Sequence, residues 1–189
     1  MISAERAYAM LGNQSLWQTA KSCHELLTDA HVPYAIMGGV AVCLHGYQRN
    51  TVDLDLLVPS DLAQTARQAL EGAGVFWDEQ QREFQTPEGA TIQFLLSGER
   101  AGKDSEVRLP EPADTTVVTE LEGLTVLSLA ALIESKIASG QGDLRRTHKD
   151  FADVVELIAR HDLGRDYARH LHKSVRAAYR ELVTNARGE

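Results

Sequence analysis

Between Tyr34 and Val58 the hydrophobic pattern changes period twice. An apolar run, Tyr-Ala-Ile-Met, stops at Gly38-Gly39; Val-Ala-Val-Cys-Leu follows; strict alternation then sets in at Asp53-Leu54-Asp55-Leu56. The segment reads as strand, glycine turn, short helix, strand. Side chains alternate along a strand, so Asp53 and Asp55 share one face while Leu54 and Leu56 enter the core.

The rest of the chain predicts a mixed α/β fold. Leu16, Ala20, Cys23, Leu27 and Ala30 recur at helical spacing before Pro33. Pro59 and Ser60-Asp61 close the aspartate strand and cap a helix over residues 61–73, ended by Gly72 and Gly74. Strand-like runs follow at 75–77, 83–86 and 91–96, with a Pro-Glu-Gly turn at 87–89. Residues 97–114 form a polar loop of a length that suits a functional lid or disorder, and both readings stay open. After two short strand-like runs in 115–127, Ser128 caps a helix that Gly140-Gln-Gly-Asp breaks. Two helices over 146–161 and 165–186 complete the pattern, the last with Leu171, Val175, Ala178 and Leu182 on one stripe. The expected organisation is an α/β core over 1–127 and a helical extension over 128–189, packed as one unit.

Two aspartates on one strand face are what a shared divalent cation needs, and magnesium prefers oxygen ligands. Gly38-Gly39 at a helix start leaves backbone N–H groups free to meet a phosphate. Either half alone is weak evidence; together they predict a phosphate cradle directly ahead of a metal-binding strand.

This stretch resembles the nucleotidyltransferase fold shared with DNA polymerase beta, in which an apolar residue, Gly-Gly or Gly-Ser and a spacer precede Asp-x-Asp. The longer string from Gly38 to Leu57, with His45-Gly46, Arg49 and Thr51 in place, is similar to the AbiEii/AbiGii type, which includes toxins of bacterial toxin–antitoxin pairs. The resemblance implies a minimal nucleotidyltransferase fold with a helical C-terminal extension. It also implies a later lysine, matched by Lys136, and a basic Lys-Asp-apolar-x-Asp run, matched by Arg146, Lys149, Asp150 and Asp153. The implied activity is magnesium-dependent transfer of a nucleoside monophosphate from a nucleoside triphosphate to a hydroxyl of a small molecule, RNA end or protein. Asp53 and Asp55 would hold the metal, Lys136 and Asp150 would join them in catalysis, and Gly38, Gly39, Arg49 and Lys149 would contact the nucleotide. An antitoxin partner is implied by the same analogy.

Enzymes of this fold usually take a third carboxylate from a neighbouring strand. The matching context here is Thr-Ile-Gln-Phe-Leu-Leu, residues 91–96, which places Gln93 there. An amide can ligate but is no general base. The alternative is therefore a catalytically degenerate member serving as a nucleotide- or partner-binding regulatory module. Lys136 and Arg49 have plain readings too, an amphipathic lysine on a helix edge and a surface-loop arginine.

Charge narrows the partners. The net charge is −8, but residues 1–135 carry 8 basic and 19 acidic side chains while residues 136–189 carry 11 and 8. The acidic part would repel a duplex, so general DNA binding is not expected. Arg145, Arg146 and Lys149 could meet a structured RNA, although a solvated helix face is the preferred reading. The scattered histidines predict no zinc site, with His170 and His172 pointing apart on one helix, and His45 reads as structural. Cys23 and Cys43 read as reduced packing residues. No apolar stretch reaches membrane-spanning length and no leader pattern is seen, so a cytoplasmic protein is expected.

Overall fold

A computed structural model describes residues 3–10 and 12–187. Strands β1 (Ala35–Met37), β2 (Asp53–Val58), β3 (Phe76–Asp78), β4 (Glu83–Gln85), β5 (Thr91–Leu96), β6 (Val118–Leu121) and β7 (Leu124–Leu127) form one sheet in the order β3-β4-β5-β2-β1-β7-β6. The β2–β5 and β1–β7 pairs are parallel and the others antiparallel, so the sheet is mixed.

Helix α1 (Ala4–Met10) is followed by α2 (Gln14–Asp29), which packs on β2 and β7 and meets α4 (Ala63–Gly72). Between β1 and β2 runs the short α3 (Gly38–Leu44). On the far side, α5 (Leu129–Gly142) lies against α3 and β7, α6 (Leu144–Arg160) packs along α5, and α7 (Arg176–Arg187) packs on α6. Among the described residues no helix is long and apolar enough to cross a membrane.

Burial follows the alternation. Leu54 and Leu56 are fully buried, and Asp53 and Asp55 are half-buried between them. Both faces of the sheet are covered further along, so Leu57 and Val58 are buried in succession. At the β3 edge, Trp77, Phe84 and Phe94 form a ring cluster with centroids 4.8 and 4.7 Å apart.

Three stretches differ from the sequence expectation. Gly140 does not end a helix; α5 runs through it to Gly142. A Cβ on Gly140 would lie 2.6 Å from the Phe151 ring and one on Gly142 would lie 2.4 Å from the Lys103 nitrogen, so these glycines permit close packing of α5 against α6 and the 97–114 loop. Asp143 alone separates α5 from α6 and caps the latter by accepting from the Arg145 N–H at 2.9 Å.

The expected helix over 165–186 is two 3₁₀ segments, Arg165–His170 and Lys173–Val175, ahead of α7. Gly164, Leu171 and His172 are extended, and Glu134 accepts from the His172 N–H, which fixes the chain direction there. His170 and His172 therefore do not share a helix. The third is the 97–114 stretch, read as a polar loop, which folds back on itself through backbone hydrogen bonds. Gly98 N–H donates to Leu109 O at 2.9 Å, Leu109 N–H to Glu99 O at 2.8 Å and Ala101 N–H to Val107 O at 3.0 Å, making a narrow ribbon that buries Val107 and Leu109.

Phe84 is 2 % exposed and central to the edge cluster. Phe84→Ala is expected to cost about 3–5 kcal/mol of unfolding free energy, measured by urea denaturation.

Candidate functional site

Asp53 and Asp55 leave β2 on the side covered by α5 and α6. Parallel register sets Gln93 of β5 directly beside Asp55. Gly38, at the end of β1, has φ +64° and no room for a side chain: a Cβ would sit 1.7 Å from Asp55 Oδ2. Only glycine lets the backbone approach this carboxylate so closely. Gly39 plays a different part, buried against Thr51, where a Cβ would come within 2.6 Å of the hydroxyl oxygen.

Above the strand lies a chain of alternating charges. Lys136 of α5, 5 % exposed, places Nζ 2.9 Å from Asp150 Oδ1 and 2.7 Å from Asp153 Oδ2, both on α6. Arg49 grips Asp153 with two bonds, Nε to Oδ1 at 2.6 Å and Nη2 to Oδ2 at 2.9 Å. Arg146 Nε reaches Asp150 Oδ2 at 3.3 Å. Arg49 is thereby neither a bare surface arginine nor a free phosphate ligand; it ties the loop before β2 to α6. Asn13 Nδ2 donates to the Thr51 carbonyl and holds the same loop from the other side.

A cavity of about 100 Å³ joins these pieces, bordered by Gly38, Asp55, Gln93, Arg100, Lys136, Ser139, Arg146 and Asp150. Sequence reasoning singled out most of this set but missed Arg100 and Ser139. Lys149 is exposed on α6, within electrostatic reach of Asp55. His45 lies outside the cavity: its Nε2 donates to Leu127 O at 2.8 Å, and its carbonyl accepts from His161 Nε2 at 2.8 Å. Burial first, then the neighbouring His161, lower its pKa.

The two carboxylates of the cavity sit in opposite environments. Burial, reinforced by the Asp53 charge, pushes Asp55 up to about 6 despite Lys136, Arg146 and Lys149 nearby. Asp150 is also raised by burial, but the Lys136 ammonium, hydrogen bonds from Lys136 and Ser139, and Arg146 together hold it below the ordinary carboxylate range. Asp150 is thus a committed anion.

The side chains able to hold a divalent cation are Asp53 and Asp55, with Gln93 offering a neutral oxygen alongside. Among the described residues no group of three or more His, Cys, Asp or Glu converges as a metal site. The pair nevertheless fits a hard cation that keeps waters or takes substrate oxygens, since both donors are carboxylates on one face of β2 with the Gln93 amide in register beside Asp55.

A larger cavity of about 590 Å³ lies between α2 and the β4–β5 turn. Ile92 lines it rather than Gln93, so it faces the opposite side of the sheet from the aspartates and holds none of the predicted site residues.

With this geometry established, three comparisons bear on the chain. The family described as aminoglycoside-2''-adenylyltransferase matches residues 20–154, a span containing both aspartates, Gln93, Lys136, Asp150 and Asp153. No curated protein sequence matches. Among solved structures, the crystal structure of ANT(2")-Ia in complex with adenylyl-2"-tobramycin superposes with a TM-score of 0.56 at 15% identity, covering 87% of this chain and 96% of that one. An antigenic nucleotidyltransferase-like protein from Paracoccidioides brasiliensis gives 0.54 at 17% identity, covering 92% and 88%. At such identities the likeness establishes the fold, a mixed sheet flanked by helices as in nucleotidyltransferases.

Asp153 is 1 % exposed and serves two cations. Asp153→Ala is expected to destabilise the protein by about 3–5 kcal/mol in urea unfolding, because a buried ammonium and a partly buried guanidinium lose their shared partner.

Proposed function

The chain belongs to the aminoglycoside-2''-adenylyltransferase family, and from that premise we propose that it transfers a nucleoside monophosphate from a nucleoside triphosphate to a hydroxyl acceptor, with magnesium as cofactor. The observation that carries this reading is the pair Asp53 and Asp55 on one face of β2, with Asp55 held against the side-chain-free Gly38 and bordering a cavity edged by Lys136, Arg146 and Arg100. Opposed charges of this kind suit a metal–triphosphate complex: carboxylates for the cation, basic side chains for the phosphates.

The acceptor hydroxyl would attack the α-phosphorus, with pyrophosphate leaving. Bound magnesium would supply charge stabilisation for the attacking and leaving oxygens. Asp53 and Asp55 would hold it, and Gly38, having no side chain, lets the end of β1 lie against Asp55. Lys136 and Arg146 would add positive potential near the phosphates. Asp150, ion-paired twice and with a lowered pKa, is suited to positioning Lys136 rather than to accepting a proton. The acceptor proton would then leave to water or to a base the substrate carries.

A small hydroxylated molecule is the acceptor class we favour. Support comes from the family description and from the neighbour seen with an adenylylated aminoglycoside. The strongly acidic composition of residues 1–135 also argues against nucleic acid as the acceptor. The AbiEii/AbiGii likeness, resting on His45-Gly46, Arg49 and the Lys136–Asp150–Asp153 set, supports a toxin with an antitoxin partner as a narrower version of the same chemistry. Gln93 favours a second reading, a nucleotide-binding module without turnover, because the residue next to Asp55 is an amide.

Calorimetric titration of each nucleoside triphosphate with magnesium is expected to show binding to the wild type and none to Asp53→Ala/Asp55→Ala; unchanged binding in the double variant would sink the proposal. Transfer by the wild type from a labelled triphosphate would remove the second reading, while transfer gained only by Gln93→Asp would support it.

A pH dependence follows from Asp55. Its raised pKa means that the carboxyl keeps its proton up to about pH 6, and a cation must compete with that proton below this value. Manganese affinity, read by electron paramagnetic resonance, should be level above pH 6 and fall about tenfold per pH unit below it. In Asp55→Asn affinity should be low and this inflection absent.

A further inference from the structure

We propose that Arg100 binds the phosphate tail of the nucleoside triphosphate, an inference that rests on the nucleotide-transfer reading above. Its basis is the charge balance of the cavity. Lys136 is shared between Asp150 and Asp153, Arg49 is committed to Asp153, and Arg146 leans on Asp150. Three cations are thus divided between two carboxylates. Arg100 borders the same cavity as Gly38 and Asp55, and its side chain makes no ion pair or hydrogen bond among the described residues. A guanidinium without a carboxylate, next to a proposed metal–phosphate site, is free to take phosphate oxygens in a two-pronged grip.

The ribbon carrying Arg100 has the rigidity such a contact needs. Its two legs are laced by the 98–109, 99–109 and 101–107 backbone bonds and the Arg100–Arg108 bridge. Its tip lies on α5: a Cβ on Gly102 would fall 2.0 Å from the Ala138 carbonyl oxygen, so the backbones touch there with no room for a side chain. Arg108, paired with Arg100 across the ribbon, donates from Nη1 to Gly98 O at 2.7 Å. One arginine of the pair thus braces the ribbon while the other is left for the cavity.

Calorimetry with magnesium triphosphate and with inorganic tripolyphosphate separates a tail contact from one to base, ribose or acceptor. Arg100→Ala is expected to weaken both ligands roughly ten- to hundredfold, the worth of one or two charge-assisted bonds, with Arg100→Lys recovering part of the loss and the melting temperature unmoved. Lys21→Ala, which removes an exposed cation of α2 away from the ribbon, should bind both within about threefold of wild type. Gly102→Ala, which lifts the ribbon from α5, should lose affinity as Arg100→Ala does. Wild-type affinity for tripolyphosphate in Arg100→Ala would overturn this inference and leave the proposed function standing. A wild type that binds neither ligand would overturn both.

Discussion

The charge chain Arg49–Asp153–Lys136–Asp150–Arg146, buried at its centre, decides where everything else in the site can lie. Lys136 and both aspartates are nearly inaccessible to water, so each charge needs its partners and the segments bearing them have little freedom to shift. Arg49 belongs to the loop entering β2, Lys136 to α5, and the aspartates to α6. A single network therefore sets the helical pair over the strand that carries Asp53 and Asp55. Ion pairs of this kind add little net stability compared with apolar packing, because desolvation offsets most of the attraction. What this one contributes is position.

Backbone approach is the second constraint. Gly38 beside Asp55, Gly102 on Ala138, Gly140 on Phe151 and Gly142 on Lys103 each occupy places where a Cβ would collide with a neighbour. The first keeps the carboxylate close to the turn after β1. The others draw α5, α6 and the ribbon together, which closes the cavity on the side away from the sheet. The same sheet carries an apolar face under α2, so the alternation of Leu and Asp along β2 separates stabilising burial from polar chemistry within one strand.

Much of this arrangement could be read from the chain. Two carboxylates alternating with leucines behind a glycine pair have a local geometry, and Ser128 ahead of an apolar helix is a local cap that the structure contains, accepting from the Ala131 N–H. Features that depend on distant partners were not legible. Helix α1 is held at its start by Glu122, whose carboxylate accepts from the Ala4 N–H at 2.7 Å, and no short window of sequence contains both residues. Gly140 and Gly142 look like breakers because their neighbours Phe151 and Lys103 are invisible to local pattern. Arg100 looked like any charge in a polar loop, since its significance comes from a ribbon whose backbone bonds join residues about ten apart. Arg49 and Lys136 were recognisable as important, yet their engagement with Asp153 is a property of how α5 and α6 fold back on each other.

We propose that Asp53 and Asp55 hold a metal–triphosphate complex on the α5–α6 side of the sheet. The most direct test is a crystal structure with manganese and a non-hydrolysable triphosphate, using anomalous scattering to locate the metal. An anomalous peak bound by both aspartates is expected, with the phosphates running toward Lys136 and Arg146. A metal elsewhere, or the triphosphate seated in the cavity beneath α2, would contradict it.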